Sequence, residues 1–143
     1  MNGGIQSIKY LLFGTLISSL AGCVVRPTLV SAHVEKGARG TEIVEVAIAS
    51  ADAKRIKDRE IYFSIVVVDC KNKENRFPVE PYTAGKLVST FDFPVVGEFV
   101  TFRGSMPERI LASFPTPCVA LQGGSYFFGR LDSAPVPLVR RGN

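Results

Sequence analysis

Tryptophan is absent from the 143 residues, histidine occurs once, methionine twice and cysteine three times. Each scarcity removes a class of function. A single imidazole, His33, and two cysteines far from it cannot supply a tetrahedral metal shell. His33 also has no partner arrangement for base catalysis: Ser31 lies two residues away, which on a strand shares a face without forming a triad. It reads as a surface histidine. No apolar run reaches the roughly 20 residues that a membrane-spanning helix needs. No block of like charge exists either; the net +4 is spread along the chain and does not argue for nucleic-acid binding. Gly123-Gly124 lacks the following Lys-Ser/Thr of a phosphate-cradling loop. Glu42 and Glu45 fall on opposite faces of one strand, and Asp69, Asp92 and Asp132 fall at strand ends or edges, so no carboxylate pair stands out. The expectation is a protein that is not an enzyme, with no cofactor and no metal.

What is present begins with an export signal. Lys9 precedes the apolar run Leu11–Leu20, and Ala21-Gly22-Cys23 follows. A cation, an apolar stretch of this length and small residues at the end are the parts of a cleavable signal peptide. The tetrapeptide Leu20-Ala21-Gly22-Cys23 resembles the lipobox of bacterial lipoprotein precursors. That resemblance implies removal of residues 1–22, diacylglycerol on the Cys23 thiol and a further acyl chain such as palmitate on its amine. The bland alternative is an ordinary signal with a chance cysteine at its end. Two or three chains, at about 0.8 kcal/mol per buried methylene, hold a protein at a membrane. Residues 23–28 then read as a lipidated tether and 29–143 as the folded domain. In a Gram-negative cell, Val24 in place of Asp after the lipidated cysteine implies the periplasmic face of the outer membrane.

Once lipid takes Cys23, Cys70 and Cys118 remain in an oxidising compartment, where a disulfide is the default and two free thiols the alternative. Such a bond contributes on the order of 4 kcal/mol in the chain-entropy model.

The rest of the chain alternates with period two. Val44, Val46 and Ile48 share a face, and Ile61–Asp69 is apolar enough to be a central strand covered on both sides. Leu87–Phe93, Glu98–Arg103, Cys118–Gln122 and Tyr126–Leu131 read as further strands, with Gly123-Gly124 as a tight hairpin turn between the last two. Arg76–Glu80 is an edge strand because of Pro78 and Pro81. Ser105-Met106-Pro107-Glu108 has capping-box spacing and predicts a one- or two-turn helix. Ala51–Arg59 is either a helical turn or a solvated loop. These elements predict an all-β protein, a two-sheet β-sandwich of immunoglobulin-like kind with one short helix; a small β-barrel is the alternative. Without tryptophan, the Trp-on-disulfide packing of antibody domains is excluded.

Two stretches are candidates for partner binding. Gly124, Ser125 and Tyr126 place a rigid aromatic beside glycines, as recognition loops do; the alternative is that the aromatics are core and the glycines only turn the chain. Lys54, Arg55 and Lys57 form a basic cluster suited to an acidic partner or lipid headgroups, or simply a solvated surface. Tyr126-Phe127-Phe128-Gly129 resembles the Tyr-x-x-Gly stretch of bacterial membrane-bound lysozyme inhibitors, although the Tyr, Trp and Lys that follow in that family are not matched here. The mature chain also resembles, in architecture, the lipidated β-rich periplasmic proteins that protect bacteria from type VI secretion effectors. Both resemblances imply an immunity or inhibitor protein that neutralises a toxic or hydrolytic enzyme in the envelope. The alternative is a structural outer-membrane lipoprotein anchoring a secretion or envelope assembly, as the β-sandwich lipoprotein of the type VI membrane complex does. Oligomeric state is not legible.

Overall fold

A computed structural model describes residues 24–125 and 129–142. The chain runs β1 (Val24–Val25), β2 (Leu29–Lys36), β3 (Thr41–Ala49), α1 (Ser50–Asp58), β4 (Tyr62–Asp69), β5 (Arg76–Val79), β6 (Tyr82–Thr83) and β7 (Lys86–Leu87). A 3-10 turn (Val88–Thr90) follows, then β8 (Phe99–Pro107), α2 (Glu108–Leu111), β9 (Pro117–Ser125), β10 (Gly129–Asp132), β11 (Val136–Pro137) and β12 (Val139–Arg140). Two six-stranded sheets result, one ordered β1-β10-β9-β4-β5 with β11 beside β9, the other β12-β2-β3-β8-β6-β7. Both are mixed, because β1 joins β10 and β12 joins β2 in parallel. The sheets pack as a β-sandwich and do not close into a barrel.

The alternation seen in the sequence decides the faces. From the second sheet Val44, Val46, Ile48, Val100, Phe102 and Met106 point inward; from the first come Phe63, Ile65, Val67, Val119 and Leu121. Phe102 is wedged between Phe63 and Phe93, edge-on to both, with ring centroids 5.2 and 5.7 Å away. Such pairs add about 0.5–1.5 kcal/mol beyond their buried area. β4 is central, between β5 and β9, and its outer-face residues Val66 and Val68 are buried too. That explains its almost unbroken apolar run.

Cys70 and Cys118 are bonded. The bond links two neighbouring strands of one sheet, since Val68 faces Cys118 across the β4–β9 ladder. It does not cross between the sheets as in antibody domains.

Several local expectations are corrected. Ser105, Met106 and Pro107 belong to β8, paired with Ile43, Glu42 and Thr41, so the capping box does not form. The short helix starts at Glu108, after Pro107 and without a side-chain cap. The expected strand over Leu87–Phe93 is broken: β7 ends at Leu87, the 3-10 turn follows, and Phe91 takes φ 54°. Burial of Val88 and Phe93 is served better by the bent path than by a straight pleat. Gly123 and Gly124 are not the turn but lie within β9, opposite Leu131 and Arg130 of β10. Ala51–Arg59 resolves as α1, which buries Ala53 and Ile56 at i, i+3 spacing.

Candidate functional site

The register of the first sheet sets out its outer face in rows. Tyr62 of β4 faces Gly124 of β9, which faces Arg130 of β10, which faces Val24 of β1. Further along, Ser64 faces Gln122 and Gln122 faces Asp132; then Pro78, Val66 and Ala120 align, then Arg76, Val68 and Cys118. Small residues at 120 and 124 keep β9 low in the middle of this face. The Arg76 side chain crosses it: its Nη1 donates to Gln122 Oε1 at 3.2 Å, while Nε and Nη2 donate to the Lys73 carbonyl at 3.4 and 3.2 Å. The guanidinium stem thereby covers apolar surface while its head stays wet.

A groove lies on each side of this bridge. One, of about 450 Å³, is lined by Arg26, Lys73, Arg76, Gln122 and Asp132 over a floor that includes Val68 and Ala120. Among the described residues neither Arg26, Lys73 nor Arg76 has a carboxylate within ion-pair distance, so three cations face this groove against the one carboxylate of Asp132. The other, of about 470 Å³, is edged by Tyr62, Ser64, Pro78, Glu80, Ser89 and Gly123. Tyr62 stands exposed at its rim, edge-on to Phe91 at 4.7 Å.

Beside the disulfide, Asp69 fastens the end of this face. Its Oδ1 accepts from the Lys71 and Asn72 N–H groups at 2.8 and 3.1 Å and from the Thr116 hydroxyl at 3.0 Å. These bonds, led by that from Lys71, hold the Asp69 carboxyl below its usual pKa, against the opposing cost of burial.

The residues singled out in the sequence are placed as follows. Lys54, Arg55 and Lys57 lie on α1: Lys54 pairs with Asp58 at 2.5 Å, Arg55 with Asp52 at 3.4 Å. Lys57 donates to the Phe93 carbonyl at 2.7 Å. The helix therefore satisfies most of its own charge. Lys57 touches Phe93, Phe91 touches Tyr62 and Tyr62 faces Gly124, so the helix and the hairpin come to the same end of the sandwich. Gly124 and Ser125 are half-buried strand residues of β9. Cys23 and Tyr126 lie outside the described residues. His33 sits half-buried on β2 opposite Glu45, its Nδ1 without a protein partner. Around it Glu35, Arg103, Glu45 and Arg141 form a chain of ion pairs across the second sheet. Sequence reasoning missed the Arg26–Lys73–Arg76 cluster, because the three are scattered over 50 residues and only strand order assembles them.

Comparison with protein-family models, with curated proteins and with solved structures finds no match.

Proposed function

We propose that this is a lipid-anchored protein of the bacterial envelope that binds a protein partner through the outer face of the β5-β4-β9 sheet. The partner in this reading is a toxic or hydrolytic enzyme, which the protein neutralises from the periplasmic face of the outer membrane. The observation that supports it is the groove with Arg26, Lys73 and Arg76 around an apolar floor. Arginine is among the residue types that dominate binding energy at protein interfaces. Arg76 is already fixed by Gln122 and the Lys73 carbonyl, so it has little freedom left to lose on binding. A partner that fits this surface presents carboxylates.

The test is affinity capture of the mature protein's partners from the host's secreted and envelope fractions. A single hydrolase recovered at one-to-one stoichiometry, inhibited on mixing and bound about tenfold more weakly (about 1.4 kcal/mol) by Lys73→Ala/Arg76→Ala, upholds the reading. Recovery of secretion or envelope-assembly components with no inhibited enzyme overturns it in favour of a structural anchor. One observation favours that second role: strand β1 (Val24–Val25) follows Cys23 directly, so a lipid on Cys23 would have no stalk between it and the sandwich.

A further inference from the structure

Where the sequence suggests a tether over residues 23–28, the described part of it is folded. Val24 and Val25 pair with Arg130 and Leu131, and Val25 is buried. Cys23 stands one residue before this strand, and one residue spans only about 3.5 Å. A group attached at position 23 is therefore joined to the chain next to the end of the sandwich from which β1 starts.

That end has a distinctive surface. The row Tyr62–Gly124–Arg130–Val24 places the exposed Tyr62 and Val24 on it. α1 caps it, packing on β1, β3 and β8. The turn at 96–98 abuts the start of α1, where Ser50 donates from its N–H to the Glu98 carbonyl at 3.0 Å and from its hydroxyl to Gly97 at 2.8 Å. This brings Val96 and Phe99 to the same end, since Phe99 faces Ala49, the residue before α1. Val24, Tyr62, Val96 and Phe99 are 45, 54, 77 and 47 % exposed, and they make up most of the large apolar side chains left in water among the described residues. The opposite end, with the turn at 71–75, carries none of them.

We propose that this end is a membrane seat: α1, Tyr62, Val96 and Phe99 rest in the headgroup region of the bilayer into which Cys23 is anchored. The inference rests on the lipidation of Cys23. Aromatic side chains with a polar tip and short apolar ones suit that interface. Charge does not select an anionic surface: on α1 Lys54 pairs with Asp58 and Arg55 with Asp52, and Lys57 is taken up by the Phe93 carbonyl. A zwitterionic bilayer is therefore sufficient. The seat gives α1 and Tyr62 to the membrane and leaves the groove around Lys73 and Arg76 open to a protein partner.

Tryptophan is absent from the chain, so one introduced indole reports alone. The Tyr62→Trp and Asn72→Trp variants, each purified as the mature protein, are reconstituted in phosphatidylcholine vesicles with or without bromine at the 6,7 positions of the acyl chains. Mass spectrometry of the same samples reads acylation of Cys23. With Cys23 acylated, bromine lowers Tyr62→Trp emission about twofold and leaves Asn72→Trp unchanged, as an interfacial indole and a distant one require. Acylated protein in which both variants are quenched equally, or neither is, overturns the seat while keeping the anchor. Unacylated Cys23 overturns the anchor and the seat together.

Discussion

Arg140, on the last strand, reaches back to Glu42 on the third, its Nη1 donating to Glu42 Oε1 at 3.0 Å. Glu42 is fully buried on the inward face of β3, in line with Val44, Val46 and Ile48, while the Arg140 side chain is half in water. One carboxylate oxygen, Oε2, has no protein partner. The pair closes the chain: it fastens β12, which joins β2 over only two residues. Arg140→Met leaves a buried carboxylate uncompensated and is expected to lower stability by about 2–4 kcal/mol. Adding Glu42→Met to it removes the stranded charge. The double variant should then be more stable than Arg140→Met alone, by urea titration at neutral pH. A double variant no better than the single one would show that Arg140 acts through packing and not through charge.

The carboxylate of Asp69 makes the acid limb of stability specific. Its pKa is lowered in the fold, first by the Lys71 N–H and then by Asn72 and Thr116, from an ordinary value of 3.8. A carboxyl depressed on folding stabilises above its unfolded pKa, and that stability is lost as pH falls through the folded value. The loss therefore falls below about pH 4. Asp69→Asn keeps one acceptor oxygen but cannot titrate. It should be less stable than the parent at pH 7, and the gap should narrow steadily between about pH 4 and pH 2. Equal gaps at both pH values in thermal melts would refute this role.

The disulfide is the next lever. Cys70 and Cys118 are 48 residues apart, and the bond ties β4 to β9 beside the Asp69–Thr116 contacts. Cys70→Ala/Cys118→Ala is expected to cost about 2–4 kcal/mol by releasing the loop in the unfolded chain. Because the two strands are already joined by a full ladder, the variant should still fold. Its circular dichroism spectrum should stay that of the parent while its melting temperature drops.

How much of this was legible in the sequence follows from the range of the signals involved. Period-two alternation gave the inward face of β3, and the almost continuous apolar run of 61–69 gave a central strand buried on both sides. Cysteine counting paired Cys70 with Cys118. Local motifs misled where tertiary packing had the stronger claim. Ser105 fits a capping box, yet Met106 is buried by extending β8, so the strand continues through it. Leu87–Phe93 alternates well, yet Val88 and Phe93 are both buried by a bend. The site was the least legible part. Arg26, Lys73 and Arg76 come from a loop after β1 and from the turn and strand after β4. They share a groove only because β10 and β9 separate β1 from β4, an order no local pattern encodes.

Gly123 and Gly124 look alike in the sequence and differ sharply in the fold, which gives a test of their roles. Neither has a positive φ, so what matters is space. A Cβ on Gly123 would lie 1.9 Å from the Tyr62 carbonyl oxygen and 2.6 Å from Phe63 Cα, both backbone atoms that cannot swing away. The side chain of Phe63 occupies the place a residue at 123 would need, and Phe63 is held there against Phe102. A Cβ on Gly124 meets nothing closer than the Gly129 carbonyl oxygen at 3.4 Å. Gly123→Ala must therefore push β9 off β4 and is expected to cost about 3 kcal/mol or more, at or beyond the upper end of overpacking effects. Gly124→Ala should change stability by less than about 1 kcal/mol, since alanine loses less freedom than glycine when a strand forms. Parallel denaturant titrations of the two variants decide it. Similar stabilities would mean that the close approach of β9 to Tyr62 and Phe63 is not what glycine at 123 secures.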